Sequence, residues 1–358
     1  GFDSLHPLQF PYLTSQKVVM QHQLSDGDLL DAKGELNQSG YATSEVKRYR
    51  RDAIKAPWHR IKEWDYYCVL TEDFGLALTV ADNSYMGLLS ASWLDFRTPR
   101  QFTQGPMIAF PRGRMGLPES ADEGDIVVEQ GGASLAFHHV PGGRLLMVHY
   151  PAFAGGKGLK GELFLAQPEM DRMVIATPFA DAPRAFYYNQ KINCMSATGR
   201  VTFGDESYEF APDRAFGLLD WGRGVWTYDN TWYWGSASGV VDGVSFGFNI
   251  GYGFGDTSAA SENMVFYEGR AHKLDRIDWH IPASGFDMAP WTFTSNDGRF
   301  EMGFEPLIDR AATFDVKLLR SIQHQVFGHF TGFVVLDDGR KLEIKRFQGF
   351  AEEVQNRW

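Results

Sequence analysis

A carboxylate and a guanidinium lie three residues apart in the segment LDWGRGVW, which spans residues 219–226. Asp220 and Arg223 could form a bidentate ion pair, because the neighbouring glycines let the backbone bend tightly or approach another group. One interpretation makes Asp220 a general acid at the mouth of a pocket. The other makes the pair a structural clasp that closes a barrel, with Arg223 stacked on Trp221 or Trp226. We favour the clasp for Arg223 and keep both interpretations for Asp220.

The segment SENMVFYEG contains a second candidate acid, Glu262. In a strand, side chains at every second position share a face, so Glu262 would lie beside Met264 and Phe266. If that face points inward, burial would raise the pKa of the carboxyl and let it act as an acid. The alternative is that Glu262 stays hydrated at the start of the strand or pairs with an arginine. We therefore name Asp220 and Glu262 as the candidate catalytic residues.

Polar and aromatic side chains near these acids are candidates for ligand binding. His149 lies on a predicted strand and could serve as a base in a pocket, although a single strand histidine more often has a structural role. The ten histidines show no H-x-H, H-E-x-x-H or Cys/His cluster with metal-ligand spacing, so we expect neither a metal site nor a cofactor. The candidate ligand-binding residues are Trp221, Arg223, Trp226, Asn249 and His149.

The elements that would hold these residues are mostly β-strands. Aromatic residues make up 15% of the chain and glycine occurs 38 times, which is typical of twisted antiparallel sheets with many turns. Turn signals such as VPGG, VVDG and LDDG separate the apolar runs, and Asp338-Gly339 predicts a hairpin. Short helices are expected only at residues 44–51 and in the tail, residues 349–358. The predicted strands are 64–71, 76–81, 144–150, 162–166, 244–250, 264–267, 313–319 and 332–336.

An internal repeat indicates two similar domains. The pattern W-x5-W begins at Trp58 and again at Trp226, which gives an offset of 168 residues (226 − 58). Two pairs of glycines further along the chain match at the same offset. Because repetition of a whole fold is the usual source of such self-similarity, we predict tandem β domains at residues 1–195 and 196–358. The second domain would carry DWGRGVW.

Composition argues against several classes of partner. The formal net charge of −11 would repel phosphate backbones and anionic lipid surfaces, so nucleic acid is not an expected partner. No run of 18 apolar residues occurs, so no transmembrane segment is expected. Cys68 and Cys194 are too few for a disulfide framework, and residues 1–13 lack the features of a signal peptide. We expect a cytoplasmic protein whose partner is a small hydrophobic molecule, and the sequence gives no indication of the oligomeric state.

Several segments resemble a bacterial family described only as a domain of unknown function. They are DWGRGVW, which is the most specific, and SENMVFYEG, GHFTGFVVLDDGRKLEI, GFAEEVQNRW and RIKEWDYYCVLTEDFGLALTVADNSYMG. The family is distantly similar to two-domain calycin proteins with lipocalin-like halves, which include carotenoid hydratases and fungal Diels–Alderase-like proteins. The resemblance implies a mainly β fold of two tandem lipocalin-like antiparallel barrels that bind ligands within or between them. It implies no activity, and no catalytic residue of the hydratases is carried over to this sequence.

Three functions fit these features. The first is an enzyme that acts on a small hydrophobic metabolite in an aromatic-lined pocket, by acid-catalysed hydration, isomerisation or cyclisation. The second is a non-catalytic carrier of a lipid or isoprenoid. The third is a glycan-acting enzyme that uses paired carboxylates. A closed, ring-lined cavity would favour the first two, whereas exposed coplanar tryptophans and two facing acids would favour the third.

Overall fold

The computed structural model describes residues 20–282, 288–316 and 318–358. These ranges consist mainly of antiparallel β-strands, which confirms the predicted fold class. The first 13 residues, on which the expected lack of a signal peptide rests, lie outside the described residues.

The strands are numbered in chain order. The first sixteen are β1 (Gly27–Asp28), β2 (Gly40–Ala42), β3 (Lys47–Arg48), β4 (Ile61–Leu70), β5 (Phe74–Asp82), β6 (Met86–Asp95), β7 (Arg100–Gln104), β8 (Met107–Ala109), β9 (Ile126–Gln130), β10 (Ala133–Val140), β11 (Gly143–Tyr150), β12 (Leu159–Ala166), β13 (Met173–Pro178), β14 (Phe186–Phe203), β15 (Glu206–Phe210) and β16 (Phe216–Val225). The others are β17 (Asp229–Val241), β18 (Val244–Tyr252), β19 (Met264–Tyr267), β20 (Arg270–Lys273), β21 (Ile277–His280), β22 (Trp291–Ser295), β23 (Phe300–Val316), β24 (Leu319–Val335) and β25 (Lys341–Arg357).

Two large antiparallel sheets contain most of these strands. Neighbours in the first sheet follow the order β7-β6-β5-β4-β16-β14-β12-β11-β10-β9, with β2, β8, β13 and β15 attached to it. Neighbours in the second sheet follow the order β20-β19-β18-β17-β25-β24-β23-β22-β21. The hairpin predicted at Asp338-Gly339 is confirmed, because it joins β24 to β25 with Gly339 at a φ of +85°.

The offset of 168 residues relates strands that hold equivalent places in the two sheets. It carries β4 onto residues 229–238, which lie within β17. β4 lies between β5 and β16, whereas β17 lies between β18 and β25, so β25 takes the place of β16. Trp64 on β4 and Trp232 on β17 therefore occupy matching positions.

The sheet topology changes the predicted division of the chain. The boundary after residue 195 would cut through β14, which continues to Phe203. The DWGRGVW segment, assigned by sequence to the second domain, forms most of β16 and pairs with β4 and β14 of the first sheet. This pairing joins residues that lie far apart in the chain, and local sequence patterns do not report it. We propose that the two domains meet at residues 226–228, between β16 and β17.

Each sheet packs one face on its own core and the other face on the opposite sheet. On β4, alternation sends Tyr67 and Val69 into the first core, while Tyr66, Cys68 and Leu70 face the second sheet. The second sheet packs one face on a separate hydrophobic core. Buried residues of the layer between the sheets include Tyr66, Cys68, Leu70, Leu94, Phe96, Leu218, Trp234, Ile308, Phe327 and Phe350.

A bulge in β14 joins the two sheets. Its register against β16 shifts between Ile192 and Met195, and Cys194 adopts a φ of +63°. The side chain of Asn193 donates to Ser236 Oγ at 2.7 Å and to the Phe248 carbonyl at 3.2 Å, both on the second sheet. The bulge therefore fixes one sheet against the other beside the cavity described below.

Helical structure within the described ranges is confined to short turns. These are α1 (Phe153–Gly156) and 3-10 turns at Arg51–Ala53 and Trp58–Arg60, and no helix has the length and apolar character needed to cross a membrane. Both helix predictions are wrong. Residues 44–51 form bends and the short strand β3, and the tail belongs to β25. β25 is paired on both sides, by β17 and β24, so sheet pairing overrides the helix preference of its Ala-Glu-Glu stretch.

One strand prediction also merges two elements. Residues 313–319 include the end of β23 and the start of β24, which run antiparallel as a hairpin with Val316 paired to Leu319. The apolar pattern continues through the turn, so it could not be distinguished from a single strand.

Candidate functional site

A cavity of about 420 Å³ lies between the two sheets. Residues 253–263, which connect β18 to β19, reach across to the first sheet, where Phe254 packs against Phe179 and Tyr187. Both halves of the chain thus build the walls. The aromatic lining residues are Trp64, Tyr66, Tyr187, Trp226, Trp232, Tyr233, Trp234, Phe254 and Trp358, and the charged ones are Lys191, Asp220, Glu262, Arg310 and Glu352.

Alternation along β16 separates the charged residues of DWGRGVW. Asp220 faces the cavity, where its carboxylate accepts hydrogen bonds from Lys191 Nζ at 2.8 Å and Asn189 Nδ2 at 2.6 Å. Trp64 Nε1 donates to the second oxygen at 3.1 Å. Three donors hold the Asp220 carboxylate in a fixed orientation.

Arg223 points the other way, into the first core, and is fully buried. It pairs with Asp65 at 2.9 Å and also donates to the carbonyls of Pro118, Trp64 and Gly222. Its guanidinium carbon lies 4.1 Å from the ring centroid of Trp221, which is also completely buried. The segment therefore contains a structural clasp on one face and a cavity carboxylate on the other, and Asp220 and Arg223 do not pair with each other.

The glycines of DWGRGVW provide space for two cavity tryptophans. A Cβ atom on Gly222 would lie 1.9 Å from Cζ2 of Trp64, and one on Gly224 would lie 3.1 Å from Nε1 of Trp226. Trp64 can therefore lie flat across β16 only because residue 222 has no side chain.

A second carboxylate, Glu352, repeats the environment of Asp220 in the other sheet. Asp220 is paired with Tyr66 across the strands, and Glu352 is paired with the matching residue, Trp234. Trp232 Nε1 donates to Glu352 at 3.0 Å, as Trp64 does to Asp220. The amide of Gln325 donates to the other oxygen of Glu352 at 2.8 Å. Burial raises the pKa of Glu352 to about 7, and the hydrogen bond from Trp232 and the charge of Arg310 oppose this shift.

Glu262 occupies the loop that crosses between the halves. Its side chain lines the cavity and is 6% exposed, and its carboxyl has no hydrogen-bond partner among the residues described. Burial raises the pKa of Glu262 to about 7, with the nearby Lys191 charge opposing the shift. Asn249 lies behind the wall, donating to the Glu262 carbonyl at 2.9 Å and accepting from Trp234 Nε1 at 2.7 Å. Asn249 thus positions cavity residues without facing the cavity.

Tyr187 brings a phenol to the same space. It is 5% exposed, and its hydroxyl has no hydrogen-bond partner within the described part of the chain. Burial raises the pKa of Tyr187 well above its usual range, and the negative charges of Glu262, Asp220 and Glu352 raise it further. Tyr187 is therefore a neutral donor close to three carboxyl groups.

Aromatic rings form one continuous wall of the cavity. Trp226 is at its centre, with ring centroids 5.2 Å from Trp64, 5.6 Å from Trp232 and 4.8 Å from Phe254. All three contacts are edge-to-face, and Trp226 is 7% exposed. The wall presents apolar surface together with the negative faces of several rings.

His149 lies apart from these residues. It is an exposed residue on β11, where it pairs with Ser134 and Lys160, and it does not line the cavity. Of the seven residues singled out by sequence, the cavity contains Asp220, Glu262 and Trp226. Trp221 and Arg223 lie in the first core.

The sequence reasoning missed Tyr187, Lys191 and Glu352. Tyr187 and Lys191 share a face of β14 with Asn189, in the run YYNQK, but nothing in that run marks which face meets the other sheet. Glu352 was hidden because its segment was interpreted as a helix. The repeat offset pairs Trp64 with Trp232, but it does not relate Asp220 to Glu352, whose equivalence appears only in the sheet order.

The two raised carboxyl pKa values predict a pH-dependent stability. A group with a pKa of about 7 when folded and 4.5 as its ordinary value contributes stability below about pH 4.5 and loses it as the pH rises to about 7. We expect the free energy of unfolding of the wild type, relative to Glu262→Gln, to fall by about 3 kcal/mol across this window. Urea unfolding at a series of pH values measures the difference. Parallel curves for the two proteins would contradict it, and the surface variant Glu209→Gln should follow the wild type.

Comparison with solved structures gives distant similarities. Kievitone hydratase from Nectria haematococca is 10% identical, with a TM-score of 0.46 and coverage of 83% of this chain and 88% of that chain. CghA is 11% identical, with a TM-score of 0.47 and coverage of 93% and 97%. A candidate AttH from Nitrosomonas europaea is 12% identical, with a TM-score of 0.49 and coverage of 87% and 98%. Similarity at this level carries no inference about activity.

No curated protein matches the chain in sequence at a significant level. One family profile does match, and it covers residues 21–358, which include both sheets and every strand that lines the cavity. The chain belongs to the family described as Domain of unknown function (DUF2804).

Proposed function

We propose that this chain is an enzyme that binds a small hydrophobic metabolite between its two sheets and transfers a proton to it. One observation carries the proposal: the Glu262 carboxyl is buried in a ring-lined cavity without a hydrogen-bond partner among the described residues. Because burial raises its pKa to about 7, the group can hold a proton near neutral pH and give it to a bound molecule. Hydration, isomerisation and cyclisation can each begin with this step.

The surrounding groups suit such a transfer. The Asp220 carboxylate, which is paired with Lys191, can balance positive charge on a protonated substrate. The faces of Trp64 and Trp226 add to this stabilisation, since an aromatic face attracts a cation. The apolar walls exclude water and strengthen each electrostatic interaction.

A carrier is the alternative that uses the same cavity. It would hold the apolar molecule against the rings and use the polar groups only for orientation. A glycan-acting enzyme has less support, because a sugar-binding platform needs exposed rings. Trp226 and Trp234 are 7% and 5% exposed, and the rings around Trp226 meet at steep angles.

Deuterium transfer from solvent tests the proposal. The protein is incubated in D₂O with the lipid-soluble fraction of a cell extract, and products are compared by mass spectrometry. We expect the wild type to generate a product that carries solvent deuterium bound to carbon, and Glu262→Gln to lose this activity by about a hundredfold or more. The variant Glu209→Gln is the matched control, because Glu209 is an exposed glutamate outside the cavity.

Native mass spectrometry of the same samples separates the two candidates. A molecule retained by both proteins and recovered without chemical change would overturn catalysis and favour the carrier. Equal turnover by wild type and Glu262→Gln would remove Glu262 as the acid and with it the proposal as stated.

A further inference from the structure

Two acidic groups in the cavity wall have no hydrogen-bond partner in the part of the chain that the structure describes. They are the hydroxyl of Tyr187 and the carboxyl of Glu262, and both residues are more than nine-tenths buried. Other acidic groups of the wall are engaged: Tyr66 donates to Gln325 at 3.1 Å, and Asp220 accepts from Lys191. The indole Nε1 atoms of Trp226 and Trp358, also in the wall, are buried without a partner among the described residues. Buried polar groups normally have hydrogen-bond partners, so two free acidic ones in one cavity indicate a ligand that supplies the acceptor.

The chemistry of the two groups identifies that acceptor. A neutral phenol and a protonated carboxyl each offer one strong O–H donor, and a carbonyl oxygen has two lone pairs to accept both. An unactivated alkene has no such atom. Both donors line the same cavity between the sheets.

We propose that Tyr187 and Glu262 together bind the carbonyl oxygen of the substrate, that Glu352 is the base that removes a proton from the adjacent carbon, and that the substrate is a ketone or enone. This inference rests on the proposed function and names its substrate class. In the first step a C–H bond beside the carbonyl breaks, the proton passes to the Glu352 carboxylate, and the electron pair moves onto the carbonyl oxygen. Tyr187 hydrogen-bonds this oxygen, and Glu262 gives it the proton described under the proposed function, which returns to Glu262 when the carbonyl re-forms.

The differing surroundings of the two glutamates support these roles. Glu352 accepts from Trp232 and Gln325, one donor on each oxygen, and hydrogen bonds of this kind favour the ionised form. Glu262 has no such donors, so its carboxyl oxygens are free to contact a ligand in the cavity. Return of the proton from Glu352 to the same or a conjugated carbon completes an exchange or an isomerisation, so no oxidant or other reactant is needed.

A pair of probes that differ by one hydroxyl tests the donor site. Naphthalene reports on the apolar cavity, whereas 2-naphtholate mimics an enolate oxygen on the same carbon frame. We expect 2-naphthol to bind as the anion at a pH where it is neutral in water, as its fluorescence will show. Tyr187→Phe should weaken naphtholate binding roughly tenfold to a hundredfold and leave naphthalene binding unchanged. Glu262→Leu should do the same, and Glu262→Gln less, because an amide still donates.

The neighbouring tyrosine provides a matched control. Tyr188 lies on the opposite face of β14, where its hydroxyl donates to the Lys47 carbonyl in the first core. Tyr188→Phe should therefore alter stability and not naphtholate binding. Equal binding of naphtholate by wild type and Tyr187→Phe would overturn the inference. If naphthalene still binds in that case, the proposed binding of a hydrophobic molecule in the cavity stands. Failure of naphthalene itself to bind would overturn both.

Hydrogen exchange in a ketone tests the base. The probe is 2-tetralone in D₂O, with loss of its α-proton signals followed by NMR. We expect the wild type to accelerate exchange, and Glu352→Gln to reduce that acceleration by about a hundredfold or more while retaining naphtholate binding. Exchange that is unaffected in Glu352→Gln would overturn the role of Glu352.

Discussion

Replacement of Arg223 with methionine should lower the free energy of unfolding by about 3–5 kcal/mol, the largest effect expected of any single change considered. The guanidinium is fully buried, pairs with Asp65 and donates to the carbonyls of Pro118 and Trp64. Methionine would leave the Asp65 charge and those carbonyls buried without partners. Chemical denaturation followed by circular dichroism measures the loss.

Two further variants make this result specific. In the double variant Asp65→Leu/Arg223→Met, both charges are absent, and we expect much of the lost stability to return. Arg48 pairs with Asp28 on the surface, where the side chains are 68% and 50% exposed, so Arg48→Met should change stability little. A loss for Arg223→Met no larger than that for Arg48→Met would contradict the clasp.

Asp220→Asn should also destabilise the fold, by about 3 kcal/mol or more, whereas Glu262→Gln should not. The amide keeps the shape of Asp220 but leaves the ammonium of Lys191 buried without its ion-pair partner. Glu262 leaves no such charge behind, because its carboxyl has no ion-pair partner among the described residues. Thermal and urea unfolding at pH 7 compare the two variants directly.

The second half of the molecule supplies the control for Asp220. Gln325 takes the place of Lys191 beside the matching carboxylate, so the double variant Asp220→Asn/Lys191→Gln copies a neutral arrangement that the fold already tolerates. We expect this variant to regain most of the stability. Equal instability of Asp220→Asn and the double variant would show that the Asp220–Lys191 charges are not what is lost.

Part of the fold and of the site can be predicted from the sequence alone. Alternation of residue types predicted the β class and the turn at Asp338-Gly339, because both depend on neighbours in the chain. It also brought Asp220, Glu262 and Trp226 into consideration. It could not show that Arg223 would meet Asp65, since that contact spans 158 residues and depends on the pairing of β16 with β4.

The remainder of the site depends on how the two sheets meet. Tyr187 and Glu352 lie in stretches of β14 and β25 where both faces are buried, so their sequence pattern does not distinguish a core face from a cavity face. Trp221 illustrates the opposite error. Its position next to Asp220 suggested a shared role, yet adjacent residues of a strand point in opposite directions.

The mirrored pairs Trp64–Asp220 and Trp232–Glu352 have a consequence for how such a site can arise. Two identical subunits packed in the same way would have to carry the same side chain at both positions, lysine opposite lysine or glutamine opposite glutamine. Fusion of the copies into one polypeptide removes that constraint, because each copy can mutate on its own. The cavity can then have a charged end and a neutral end. This difference favours one orientation of a bound molecule over the other.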